Sequence, residues 1–532
     1  GRYADTNYTN LQEWRQVTGQ DGHSLAENPF YTSVTNLAMN QVLLNNQGIP
    51  VEGILYDIDS TLRNATQPDP GAKEYDPCQP DAGINRITAP TSPVGQGVHE
   101  VKVILQNQGS GILSSVIINW KVNGIVQPPY TWLGTLPLSG NTEVNIGSYT
   151  FTSGLFSIET WTSQPNGSGD CNPYNDSTFT EVAASLCGAY TIGGSNPDFA
   201  TFTDAVAVLN AAGISCPVIF NVRDGEYNEQ FVINDIAGSS EVNTVTFQSE
   251  SGDSTAVMLW YNGVIVNLKH AMYINFKGIG FNGGNGLALD DHSNHINIEH
   301  CYFTNFSPAL GIRTGSHDIR VSSTGFYGGG SAIALEDGTQ EIEVQNNIFN
   351  QNSGIAANYS RNVIIDRNQF NKCQSGIRIQ STRNLVISNN RLDILAQPYY
   401  ENKGILVINS DTLSVYNNYI YTYGTNPGIG IYMYYCTNGG IYFNSLNIAN
   451  TDIGGESIGF EMRDGSQNNI KDNIFNIKTA GYPAWIVAGT TGFLLDYNDY
   501  YSPSGLIGRY ADINYTNLQD WGQAVNGDAN SK

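Results

Sequence analysis

Charged residues make up only 14% of this 532-residue chain, and cations are the scarcer kind: 24 Lys and Arg against 48 Asp and Glu, a formal charge of −24. So few basic residues exclude a nucleic-acid partner, because phosphate binding needs a basic face. The seven cysteines show no CxxC or Cys/His spacing, which argues against a zinc centre. No apolar run is long enough to cross a bilayer as a helix, so membrane insertion is not expected. No secretory leader opens the sequence, as expected of an internal or mature segment, and this says nothing against secretion. Helix-forming heptads are also absent, which excludes bundles and coiled coils.

What the chain has instead is Gly, Asn, Ser, Thr and Tyr, the composition of a turn-dense all-β protein. From Cys187 to Gly508 an apolar residue is followed five places on by another. The pairs are Phe276–Phe281, Ile298–Phe303, Val321–Phe326, Val344–Phe349, Ile365–Phe370, Ile387–Leu392, Val415–Ile420, Phe443–Ile448, Ile470–Phe475 and Leu495–Tyr500. Successive second members lie 21 to 28 residues apart, the period of a solenoid. Within each period, runs such as QEIEVQNN and RNVIIDRN alternate apolar and polar residues, the mark of strands with one inward face. These periods predict ten coils of a right-handed parallel β-helix, about 50 Å long at roughly 4.8 Å per strand. An asparagine two places before the inward residue (Asn347, Asn368, Asn390, Asn418, Asn473, Asn498) predicts a corner and a stacked amide ladder.

PDFATFTDAVAVLNAAG carries Phe202, Ala205, Val206 and Leu209 at helical spacing, a cap helix over residues 199–212 that closes one end of the solenoid. The first and last twenty-five residues are two versions of one segment. Aligned Gly1 on Gly508, 15 of 25 positions are identical, including Trp14 on Trp521 and Asp21 on Asp528. Thr9 is expected to precede a short helix or turn from Asn10 to Trp14. Four regions follow: 1–77, the closing coils and cap of a preceding β-helix; 79–183, alternating strands of an immunoglobulin-like β-sandwich; 184–507, the β-helix; and 508–532, the start of its closing cap. Cys78 with Cys171, and Cys187 with Cys216, bracket two segments and are expected to form disulfides, whereas Cys301, Cys373 and Cys436 read as buried small apolar residues.

Candidate chemistry is sparse. The carboxylate–imidazole cluster in LALDDHSNHINIEH (Asp290, Asp291, His292, with His295 and His300) is the best source of a glycosidase pair or a lyase base. His317–Asp318, Glu336–Asp337, Asp366–Arg367 and Arg463–Asp464 come next. Asp57 and Asp59 in DIDSTLRN offer carboxylates for calcium, although the loop lacks the remaining ligands of a full calcium loop, and a capped turn is the favoured reading. No other cofactor is expected. Tyr399, Tyr400, Tyr421, Tyr423, Tyr432, Tyr434 and Tyr435 provide rings that stack on sugars, fill an interface or pack along the solenoid.

AYTIGGSNPDFATFTDAVAVLNAAG and NYTNLQEWRQVTGQDGHSL resemble the opening and closing segments of right-handed β-helix modules in large secreted proteins of Bacteroidetes. The stretch with QNQGSG, INWKVNG and NPYNDS resembles the CARDB class of bacterial immunoglobulin-like folds. The resemblance implies a cell-surface or extracellular protein exported by the type IX route. With the terminal repeat, it gives the expected function: a non-catalytic structural and adhesive unit of a long fibre. Its partners would be neighbouring units of the same protein and surface glycans or cell-surface proteins. The alternatives are a β-helix carbohydrate-active enzyme (a polysaccharide lyase or glycoside hydrolase) with an accessory domain, and a noncovalently polymerising filament subunit.

Overall fold

The computed structural model describes residues 2–3, 6–8, 10–29, 31, 39, 41–75, 79–351, 353–398, 402–451 and 457–532. They fall into two compact units, Gly1–Ser185 and Leu186–Lys532.

The first unit holds a β-sandwich. Ala82–Ala89, Gly97–Asn107 and Asn141–Phe151 form one sheet, and Leu113–Val122, Ile125–Val126, Tyr130–Leu136, Gly154–Ser163 and Ser177–Ala184 form the other. All neighbours are antiparallel. The inward residues of both sheets close over Trp120, whose Nε1 donates to Pro128 O at 2.9 Å. Trp161 is half-buried with the Lys121 ammonium 5.9 Å from its ring. Before the sandwich, a helix at Leu11–Thr18 starts one residue later than expected, with Asn10 as its N-cap. Thr9 and Cys78 lie outside the described residues.

The second unit is the parallel β-helix. Each turn contributes one strand to each of three sheets. Among the described residues the first sheet has 13 strands, from Leu186–Ile192 to Leu494–Asp496. The second has 12, from Gly225–Asn228 to Asp499–Tyr501, and the third runs from Phe231–Ile233 to Gly508–Tyr510 before turning back antiparallel at Ile513–Tyr515. The five-residue rule yielded only ten coils because it misses Leu186–Ile192, Ile214–Val222 and Val245–Ser249 at the start. These strands end in Gly- and Ser-rich loops of irregular length.

Like stacks on like inside. The rings of Phe281, Phe303, Phe326, Phe349 and Phe370 lie 4.7, 5.1, 5.0 and 4.5 Å apart in succession, all nearly parallel. Fully burying each such ring is worth about 1.5–3 kcal/mol. One pair was misregistered: Phe443 is 60% exposed, and the inward residues of that coil are Ile441 and Leu446. With the register corrected, Asn444 joins the asparagine ladder. Each amide donates to the next oxygen at 3.0 Å along Asn347, Asn368, Asn390, Asn418, Asn444, Asn473 and Asn498, and each takes a backbone N–H in return. The left-handed corner is the residue before the ladder: Asn346, Arg367, Asn389, Asn417, Phe443, Asp472 and Tyr497 have φ between 53° and 57°.

The cap helix runs Phe202–Ala212. Thr201 caps it by accepting from Asp204 N, and the four apolar residues expected to face inward are buried. Cys187 and Cys216 form a disulfide, and Cys301, Cys373 and Cys436 are buried thiols.

Candidate functional site

The outer face of the third sheet carries one continuous column. Register pairs place Ala288, Gly311, Ala334, Ala356, Arg378, Leu406, Tyr432, Glu461, Trp485 and Arg509 above one another on successive strands. Its first four residues are small and make a shallow floor. Its last rise into a cluster of rings and cations.

Glu461 lies at the centre of this cluster. It points away from the solenoid core, because its neighbours Phe460 and Met462 point in, yet it is only 1% exposed. Burying an ionised carboxylate costs several kcal/mol unless it is paired. Arg463, two residues along the same face, supplies the pair with Nε 2.5 Å from Glu461 Oε1. The Arg463 guanidinium sits 5.9 Å from the Tyr432 ring and 5.6 Å from the Trp485 ring, and that of Arg509 lies 4.5 Å from Trp485 and 5.7 Å from Tyr482. The Lys403 ammonium is 5.0 Å from the other side of the cluster, at Tyr432. Burial pulls the Arg463 pKa down, but its hydrogen bond and charge pairing with Glu461, together with the Tyr432 and Tyr434 hydroxyls, outweigh burial and raise it overall. The Tyr432 hydroxyl is pushed above its ordinary pKa, first by burial and then by the Glu461, Tyr434 and Asp464 charges, with Arg463 opposing them. Asp464, exposed at the corner with φ 48°, therefore lies within electrostatic reach of the same ring as Glu461. Trp485 Nε1 is buried and meets no acceptor among the described residues. In a protein of net charge −24, Arg378, Lys403, Arg463 and Arg509 form a local positive face.

The residues expected from sequence are distributed differently. Asp290 is on the third sheet, paired with Arg313 at 3.3 Å, while Asp291 and His292 occupy the following turn with φ 55° and 62°. Asp291 and His292 are exposed, so their contacts are weak solvated pairs. Asp290 sits seven strands below Glu461, roughly 34 Å away at about 4.8 Å per strand, too far to act with it. Tyr432 and Tyr434 flank Glu461, and Tyr435 packs on Tyr434 at 4.3 Å. Tyr421 and Tyr423 stack on each other at 4.9 Å, but on the second sheet. Tyr399 and Tyr400 lie outside the described residues. Asp57 accepts from the backbone N–H groups of Asp59, Thr61 and Glu74, and Asp59 pairs with Lys73 at 2.5 Å. This is a capped turn in which both carboxylates proposed for calcium are already engaged.

A concavity of about 630 Å³ lies on the first sheet, lined by Lys277, Glu299, Arg320 and Glu343 among others. Its charges are exposed ion pairs, Lys277–Glu299 at 3.8 Å and Arg320–Glu343 at 3.3 Å, worth little in water. It has no buried carboxylate, so the third sheet is the stronger site. Glu461, Tyr482, Trp485 and Arg509 were missed in the sequence. The available signal was a glutamate set between two inward apolar residues in SIGFEMRDG.

Comparison with known proteins follows the fold. A family model described as right handed beta helix region matches residues 261–420. No curated protein matches the chain. Among solved structures, the DFA-IIIase of Arthrobacter chlorophenolicus A6 without its lid is 11% identical, covers 61% of this chain and 99% of its own, and has a TM-score of 0.46. The family 28 exopolygalacturonase of Yersinia enterocolitica is 8% identical over 85% of this chain and 100% of its own, with a TM-score of 0.34. The CARDB domain of the PF1109 protein of Pyrococcus furiosus, in complex with di-metal ions, is 20% identical over 20% of this chain and 96% of its own, with a TM-score of 0.17. The β-helix neighbours are by name a DFA-IIIase and an exopolygalacturonase, so the expectation of a non-catalytic, adhesive fibre unit is not borne out, and at these identities the likeness shows the fold alone. That expectation rested on the terminal repeat. A repeated cap closes any β-helix, catalytic or not, and carries no information about chemistry.

Proposed function

We propose that this chain is a β-helix glycoside hydrolase acting on an anionic, uronate-bearing polysaccharide outside the cell. The observation that carries the reading is Glu461: a carboxylate buried on the outer face of a sheet, paired with Arg463 and walled by Tyr432 and Trp485. Rings at this spacing stack on sugar faces, and the Arg378–Arg509 column attracts carboxylated sugars. Glycosidic hydrolysis needs two carboxylates with different tasks. Glu461, paired with Arg463, is the base that takes a proton from water as its oxygen bonds to the anomeric carbon. Asp464, exposed at the corner beside this cluster, is the second carboxylate, whose protonated form would pass its proton to the departing glycosidic oxygen.

The test is release of reducing ends from a panel of uronate polysaccharides by the full chain. Glu461→Gln and Asp464→Asn should each lower kcat by about 100-fold or more, and Trp485→Ala should raise KM. No release from any member of the panel, an unaffected Glu461→Gln variant, or unsaturated products typical of elimination would each overturn the reading.

A further inference from the structure

The chain carries the same cap twice, once seated and once bare. At Gly508–Lys532 the cap is seated. Trp521 is 0% exposed, and its Nε1 donates to Asp528 Oδ2 at 2.6 Å. The same carboxylate accepts the Tyr500 hydroxyl at 2.7 Å from the last coil and, at its other oxygen, the Ser531 hydroxyl. Ser531 Oγ then accepts Asn498 N at 2.8 Å, the place filled by the next asparagine oxygen on every rung below. Asp528 N to Leu495 O, Lys532 N to Asn498 O and Tyr500 N to Lys532 O, at 2.7, 2.8 and 2.8 Å, pair the cap with the open edge. An unpaired rung of this kind is otherwise a template for uncontrolled strand addition.

The opening copy has the same internal construction. Asn10 caps its helix by accepting from Glu13 N at 2.8 Å, as Asn517 does from Asp520 N at 2.8 Å. Trp14 Nε1 donates to Asp21 Oδ2 at 2.5 Å, and Ser24 Oγ donates to Asp21 Oδ1 at 2.7 Å. Tyr8 meets Trp14 edge-on at 6.2 Å and 70°, as Tyr515 meets Trp521 at 5.8 Å and 64°. What differs is the far side. No residue of the opening helix is buried, Asp21 is exposed, and Val17 and Leu25 are 47% and 46% exposed.

We infer that residues 10–25 are a preformed docking surface for the terminal rung of a second parallel β-helix, one ending as this chain does in an Asn-x-Tyr edge. Asp21 is placed to receive that tyrosine hydroxyl, Ser24 to close the asparagine ladder, and Trp14 to cover the last inward ring. The inference stands on the duplicated geometry and is independent of the activity at Glu461.

Full-length Trp521→Ala loosens the chain's own cap and frees its last rung for the opening cap of another copy. By analytical ultracentrifugation it should form concentration-dependent species larger than wild type, and Trp14→Ala/Trp521→Ala should return to the wild-type size. If Trp521→Ala does not fold, Trp521→Phe, which keeps the ring but loses the bond to Asp528, should give the same pattern to a smaller extent. A folded Trp521 variant that never exceeds wild-type size, or association that persists in the Trp14 double variant, overturns the inference.

Discussion

Arg463 Nε stands 2.5 Å from Glu461 Oε1, on the outer face of a sheet where charged residues are normally solvated. The pair is tolerated because Tyr432 and Trp485 cover the guanidinium while the guanidinium neutralises the carboxylate. Removing one partner therefore differs from removing both. Arg463→Met should destabilise the β-helix near the low end of ~3–5 kcal/mol, since Arg463 is partly exposed, and Glu461→Gln in that background should recover much of the loss. A double-mutant cycle by chemical denaturation checks this.

The asparagine ladder should be cooperative. Asn390 accepts Asn368 N and Nδ2 and donates to Ile365 O and Asn418 Oδ1, all at 2.9–3.0 Å. Asn390→Ala strands buried partners on two rungs, at about 1–3 kcal/mol for each group left unsatisfied. Phe326→Ala, which interrupts the ring stack, should cost ~3–5 kcal/mol by leaving a cavity. Denaturation midpoints of the two variants measure both.

Stability of the sandwich should depend on pH through Asp176. Burial, then Asp170 and Asp81, push its carboxyl up from 3.8 to about 7, and its Oδ1 is buried with no hydrogen-bond partner among the described residues. The folded state then holds a proton that the unfolded chain releases near pH 4. Stability should fall as pH rises from about 4 to about 7 and level off above. Asp176→Asn should flatten this slope and raise the melting temperature at pH 8, as read by calorimetry.

The buried thiols should be inert in the folded protein. Burial pushes Cys301 up to about 12 and Cys436 to about 11, leaving almost no thiolate at neutral pH. Alkylation followed by mass spectrometry should label neither residue until denaturant opens the coils. Labelling in native buffer would contradict the packing.

The rungs were legible because most inward strand positions are apolar, so alternation survives variation in loop length. Phe443 shows the limit: an aromatic at a left-handed corner imitates an inward ring and shifts the register by two residues. The site was less legible. Outward residues tolerate almost anything, so Arg378, Tyr432, Glu461, Trp485 and Arg509 share no sequence spacing and meet only through strand register. Asp290 and Asp291 attracted notice because turns concentrate charge, and turns are where solvated charge costs least. The terminal repeat marked a closing segment, but the Trp–Asp–Ser arrangement within it required three-dimensional contacts.

Hydrogen–deuterium exchange of Glu461→Gln with and without a uronate oligosaccharide tests the central claim most directly. The account predicts protection confined to Ile429–Tyr434, Ser457–Arg463 and Gly481–Ile486, the strands that carry Tyr432, Glu461 and Trp485. Protection over the first-sheet concavity around Glu299 and Glu343, or none at saturating oligosaccharide, would contradict it.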